Sequence, residues 1–205
     1  MGLIDQLTEK SWLPGQGRAE NLQKSGESTL PVEKLGLRVF LGVITVLFSL
    51  FVVAYIDRMT FTDWRPLPMP WLMWLNTAVL VLSGVGMQKA RIAANRGEMG
   101  GVRTGLLAGG GFAIAFLAGQ LWASQQLVAL GYYAESNPAN AFFYLITAVH
   151  AVHLLGGLVA WGRTAGKVWR GLEADQVRMS VGLCAVYWHF LLVVWLVLFG
   201  LLLLT

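Results

Sequence analysis

The sequence predicts an all-α polytopic membrane protein, a bundle of five transmembrane helices with its N-terminus inside and its C-terminus outside. Three observations carry that reading. The chain is 56% hydrophobic and only 13% charged, against the roughly 25% charged of soluble domains. Five apolar runs, at about 39–56, 67–88, 104–130, 139–162 and 180–204, have the length needed to cross a hydrocarbon core about 30 Å thick, and none contains Asp, Glu, Lys or Arg. The cationic residues alternate across those runs: Lys10, Arg18, Lys24, Lys34 and Arg38 precede the first, Lys89, Arg91, Arg96 and Arg103 follow the second, and Arg163, Lys167, Arg170 and Arg178 follow the fourth. The opposite side has only Arg58 and Arg65, so the positive-inside rule sets the orientation.

Residues 1–34 read as a cytoplasmic tail and 35–205 as the membrane domain. The tail is polar and broken by Pro14, Gly15 and Gly17, with Leu3, Ile4, Leu7 and Trp12 available for one short amphipathic turn. After the first span, Pro66, Pro68 and Pro70 predict an extended outer connection, and Trp64, Trp71 and Trp74 an interfacial aromatic belt. The third span carries Gly111, Ala115, Gly119 and Ala123 at four-residue steps, with Gly105 and Gly109 just before them, which predicts a stripe for close helix approach, with Gln120, Gln125 and Gln126 bonding between helices. Tyr132, Tyr133, Asn137 and Pro138 mark the second outer connection. In the fourth span Ile146, His150, His153, Gly157 and Ala160 predict one seam against a neighbour, and in the fifth Ala185, His189, Leu192 and Leu196 predict another.

A charge-free interior excludes most ion pumps and voltage sensors, which place ionisable groups at depth; here only the three histidines can titrate there. No inverted repeat or broken helix pair points to a transporter. The +4 net charge follows from topology, and no basic patch with interleaved aromatics points to nucleic acid. Cys184 is the only cysteine, so no intrachain disulfide forms. The histidines admit two readings. In one, His150 or His153 together with His189 ligates a b-type haem or copper, as in a small membrane cytochrome; His150 and His189 differ in depth by roughly 6 Å at about 1.5 Å per residue, whereas His153 and His189 match. In the other, which the missing propionate-binding cations favour, they are hydrogen-bonding partners between helices.

The pattern resembles subunit III of the haem-copper oxidases over nearly everything after Leu35. The resemblance rests on Lys34-Leu35-Gly36-Leu37, Leu75-Asn76-Thr77 with Ser83, and Gly119-Gln120. More specific are Phe142-Phe143 to Thr147 with His150, His153 and Gly156-Gly157, and Tyr187-Trp188-His189-Phe190 with Val194-Trp195. It implies the bacterial five-helix type: a non-catalytic subunit of a cytochrome c oxidase in the bacterial inner membrane, with no haem, copper or catalytic residue of its own. Haem and copper belong to partner subunits in that family. It further implies packing on catalytic subunit I, with subunit II and possible further respiratory-complex subunits as partners, and phospholipid held between helices in support of assembly and sustained, proton-pumping turnover. Asn76, Gln120, His150, His153, Gly157, Tyr187, Trp188, His189 and Trp195 are the expected helix, subunit or lipid contacts. Two departures stand out: Ile44 and Leu192 occupy positions where many members carry membrane carboxylates. They open a second reading, the companion subunit of a quinol oxidase or nitric oxide reductase.

Overall fold

The computed structural model describes residues 32–67 and 70–204. The tail and its expected amphipathic turn lie outside the described residues, apart from the first turn of the leading helix. Five helices follow one another: α1 Val32–Arg58, α2 Trp71–Arg96, α3 Met99–Ala129, α4 Pro138–Trp169 and α5 Ala174–Leu203. All five are long and apolar enough to cross a membrane.

The helices overrun the apolar runs at the ends that carry charge, because an apolar count registers only the part in hydrocarbon. Charged last turns continue the helix into the headgroup region, where Lys, Arg and Glu remain good helix formers. The second span begins later than the sequence suggested. Leu67 belongs to the extended connection, and the helix starts at Trp71 behind Pro70, whose φ of −62° and ψ of 140° are non-helical. Gly97, Gly131 and Gly171 end α2, α3 and α4 at φ of 75°, 88° and 83°, a left-handed geometry that only glycine adopts without strain. At the start of α4, Asn137 accepts from the Ala139 N–H at 3.2 Å, and Pro138 stands in the first turn where its missing N–H costs nothing. The same Asn137 side chain bonds both the backbone carbonyl and the N–H of Arg65, so the connection between α1 and α2 is tied to the start of α4.

From Leu37 onward α2, α3, α4 and α5 form a closed ring in which α2 meets α3, α3 meets α4, α4 meets α5 and α5 returns to α2. The α2–α3 pair is the tightest. A Cβ added at Gly105 would lie 2.5 Å from the Ala90 backbone nitrogen, and one at Gly86 would lie 2.7 Å from that of Gly109. The two backbones therefore touch, which is how helices in lipid gain packing energy without a hydrophobic drive between them.

This corrects the expected stripe. Gly111 and Ala115 face outward, and Gly111 has open space around it; the true contact line runs through Gly105 and Gly109 to Ala113, Phe116 and Ala123, with Gly119 beside it against Asn76. A four-residue step drifts about 40° per repeat on a helix of 3.6 residues per turn, so a stripe at that spacing leaves the interface within a few turns. Ala160 on α4 and Leu196 on α5, both expected in seams, are exposed.

Helix α1 joins no close backbone pair of the ring and packs by long side chains, burying Ile44, Phe48 and Tyr55. Its rings bridge to the bundle at three heights: Phe40 stacks on Tyr187 at 6.0 Å, Phe48 meets His150 and His153, and Tyr55 meets Trp64 and Phe142 at 4.9 and 5.5 Å. At the end of α1 Arg58 donates to Asp63 at 2.8 Å, and that bond holds the exposed Asp63 carboxyl below the usual carboxylate range.

Candidate functional site

In hydrocarbon a polar side chain must find a hydrogen-bond partner, and at every junction of this bundle's ring one finds it on another helix. Between α2 and α3, Asn76 Nδ2 donates to the Phe116 carbonyl at 3.0 Å and to Gln120 Oε1 at 2.8 Å. Ser83 Oγ donates to the Gly109 carbonyl, which the missing side chains of Gly86 and Gly109 bring within reach. Between α5 and α2, Trp188 Nε1 donates to that same Ser83 oxygen at 2.8 Å, and Trp195 Nε1 donates to Thr77 Oγ1 at 3.0 Å. Thr77 in turn donates to the Met73 carbonyl of its own helix at 2.8 Å. Between α4 and α3, Trp161 Nε1 donates to the Leu106 carbonyl at 2.9 Å; between α5 and α4, Tyr187 Oη donates to the His153 carbonyl at 2.8 Å. Gly157 makes that last junction possible, since a Cβ there would lie 2.9 Å from the Tyr187 ring.

The three histidines separate. His150 is fully buried, with ring contacts to Phe48 at 6.2 Å, Phe116 at 6.1 Å and Trp195 at 5.1 Å, and neither ring nitrogen has a hydrogen-bond partner among the described residues. His153 is half-buried under Phe48, its Nδ1 bonded to the Val149 carbonyl one turn back at 2.8 Å. His189 is also half-buried and bonds the Ala185 carbonyl at 2.6 Å through Nδ1, but it stands on the outward side of α5 and away from the interior it was expected to share. Among the described residues no group of three or more His, Cys, Asp or Glu is arranged to hold a metal ion.

Of the glutamines, Gln120 is buried and accepts from Asn76, whereas Gln125 and Gln126 are exposed near the C-terminal end of α3. Sequence reasoning missed Trp161 as a helix tie. Its signal was a position three turns after His150 on the same buried face, for an indole whose N–H needs an acceptor when buried. Ser83 and Thr77 entered only through the resemblance. Nothing in a lone hydroxyl distinguishes one that receives an indole N–H from one that bonds its own helix.

Both departures from the family pattern lie in the interior. Ile44 is 1% exposed, one turn before the Phe48 that covers the histidines. Leu192 packs over Gly84, its Cδ2 3.0 Å from where a Cβ would stand. A hydrophobic carbodiimide attacks protonated carboxyls in lipid, a form that burial favours. With isoleucine and leucine at these two places, the spans should remain unmodified in the treated, purified protein; a modified peptide from within 39–56 or 180–204 would contradict the charge-free interior.

Between α1, α4 and α5 lies a groove of about 410 Å³ walled by Leu37, Phe40, Cys184 and Tyr187 and bordered by Arg163 and Ser180. Lys167 Nζ donates to Ser180 Oγ at 3.2 Å beside it. The groove is apolar along its length and cationic at one end, the shape and charge of an acyl chain beneath a phosphate. At the far end of α1 the Tyr55, Trp64 and Phe142 rings fill the gap.

These features define a class: a polytopic helical membrane protein whose interior polar groups join helices into one rigid bundle. Within that class the family described as cytochrome c oxidase subunit III matches residues 25–204, and the chain belongs to it. It is 28% identical over 176 residues to the cytochrome c oxidase subunit 3 of Thermostichus vulcanus, covering 82% of this chain and 85% of that protein. To the probable cytochrome c oxidase subunit 3 of Nocardia farcinica it is 32% identical over 161 residues, 75% of this chain and 76% of the relative. To the cytochrome c oxidase subunit 3 of Synechocystis sp. it is 28% identical over 173 residues, 80% and 72% respectively. The chain is thus a multi-pass membrane subunit of a haem-copper oxidase complex.

Proposed function

We propose that this chain is the non-catalytic subunit III of a cytochrome c oxidase in a bacterial cytoplasmic membrane, oriented with its N-terminus inside. It packs on catalytic subunit I in a complex that includes subunit II, leaves oxygen reduction and proton pumping to subunit I, and supports assembly and sustained turnover. Haem and copper reside in the partners. The observation that carries the reading is the family match over residues 25–204, joined to an interior whose hydrogen bonds run from helix to helix. The groove beside Arg163 accepts an inner-leaflet phospholipid, and that lipid fills the gap between α1 and the ring.

Purification in mild detergent tests the core of this proposal. The chain should emerge with a larger polytopic subunit that carries the haem absorption, and should itself be colourless after separation. Stoichiometric haem on the isolated, folded chain would establish a small membrane cytochrome instead. The orientation has its own test: a cysteine at Ser136 should react with an impermeant thiol reagent in intact cells, and one at Glu98 only after lysis. The reverse labelling would invert the chain.

A second reading, a companion of a quinol oxidase or nitric oxide reductase, is favoured by Ile44 and Leu192 at the two carboxylate positions. Turnover of the purified complex with reduced cytochrome c against quinol as donor, and with oxygen against nitric oxide as acceptor, decides between them.

A further inference from the structure

The outward faces of α3 and α4 at mid-depth are apolar, as Leu107, Ile114 and Leu121 and as Val152, Leu155 and Val159. That is what acyl chains require. On α5 the outward stripe Val186, His189, Val193, Val197 differs by one residue, a half-buried imidazole at the middle of a helix of 30 residues. It lies too far from either end for a histidine side chain to reach a headgroup.

The geometry fixes what that ring needs. Nδ1 lies 2.6 Å from the Ala185 carbonyl oxygen, an acceptor only, so Nδ1 carries the hydrogen. In the neutral imidazole Nε2 is then a lone-pair acceptor, and among the described residues it has no hydrogen-bond partner. Acyl chains offer no donor at this depth, and an unmet ring nitrogen in hydrocarbon is costly. Gly182 and Gly200, at the two ends of the same stripe, have open space where a Cβ would stand, so another helix can approach closely.

We propose that this stripe of α5 is the face on which the chain docks a transmembrane helix of the catalytic subunit, and that the helix supplies an O–H or N–H donor to His189 Nε2. The proposal rests on the oxidase-subunit reading above and goes further by naming the face and the chemistry of its partner.

The test uses the assembled complex, with a photoreactive phenylalanine analogue placed at Val193 or, as a control, at Val152 on α4. Cross-linking to the large redox subunit is expected from Val193 and not from Val152. His189→Leu should make the chain roughly tenfold easier to strip with detergent, the effect of one lost interhelical hydrogen bond at the strong end of its range. His189→Gln, which keeps an acceptor, should restore most of the retention. Cross-linking from Val152 alone, or only to lipid from both sites, in a chain that still co-purifies with the haem subunit would overturn the docking face and leave the subunit reading standing. A chain that never co-purifies would overturn both.

Discussion

Gly105→Val should abolish stable packing of α2 on α3, while Gly111→Ala, six residues along the same helix, should leave it intact. At Gly105 a Cβ alone would fall 2.5 Å from the Ala90 nitrogen and 2.8 Å from its Cα. Those are backbone atoms that cannot rotate aside as a flexible side chain does. The helices must separate, which also pulls the Gly109 carbonyl from Ser83 and loosens the Trp188 tie behind it. The cost should reach or exceed the roughly 1–3 kcal/mol of ordinary overpacking, because backbone is displaced and hydrogen bonds are lost together. Gly111 has nothing within reach of an added Cβ, so alanine there should be neutral or stabilising by up to about 1 kcal/mol through helix propensity alone. The amount of protein surviving a thermal challenge in detergent reads both. Equal losses at the two positions would place the α2–α3 contact on the wrong face.

That pair of glycines also marks where sequence reading succeeds and stops. Five spans were legible because hydrocarbon thickness and the cost of bare charge act on each segment independently. Gln120 was legible as a group in need of a partner for the same reason, since polar atoms within an apolar run must bond to something, whereas Asn76, Trp188 and Trp195 came only through the resemblance. Which helix each one meets depends on rotation about the helix axis, and a fixed four-residue step misjudges that rotation within a few turns. Gly111 and Ala115 were therefore grouped with Gly105 and Gly109, which make the contact that they do not. His189 was assigned to the interior although Trp188, one residue earlier, is the side chain that enters it.

Helix α1 shows a different limit. Between residues 39 and 56 it carries no charge on any side, so no periodicity tells the face that packs from the face that meets lipid. The distinction comes from Ile44, Phe48 and Tyr55 meeting residues far along the chain, such as His150, His153 and Phe142. Those contacts are long-range and leave no local signature.

Asn76→Leu should destabilise the bundle by about 1–3 kcal/mol, and adding Gln120→Met should recover most of that loss. Asn76 reaches α3 past Gly119, where a Cβ would clash with its Oδ1, and its amide hydrogens satisfy both the Gln120 side chain and the Phe116 carbonyl. Leucine matches asparagine closely in shape, so the single substitution leaves packing nearly unchanged while it strands the Gln120 oxygen in a site that is 3% exposed. An unmet buried acceptor carries its full desolvation penalty, which exceeds the net worth of the bond it once made. Methionine at 120 removes that acceptor and retains an unbranched chain beside Met73, whose sulfur already lies 3.5 Å from Gln120 Nε2. The double variant should therefore fall within about 1 kcal/mol of the parent, since replacing both partners by apolar groups of similar shape is nearly neutral. Thermal or denaturant unfolding in detergent measures the four corners of the cycle. Additive losses would mean that the two amides do not depend on each other, and the Asn76–Gln120 bond could then no longer be counted among the ties between α2 and α3.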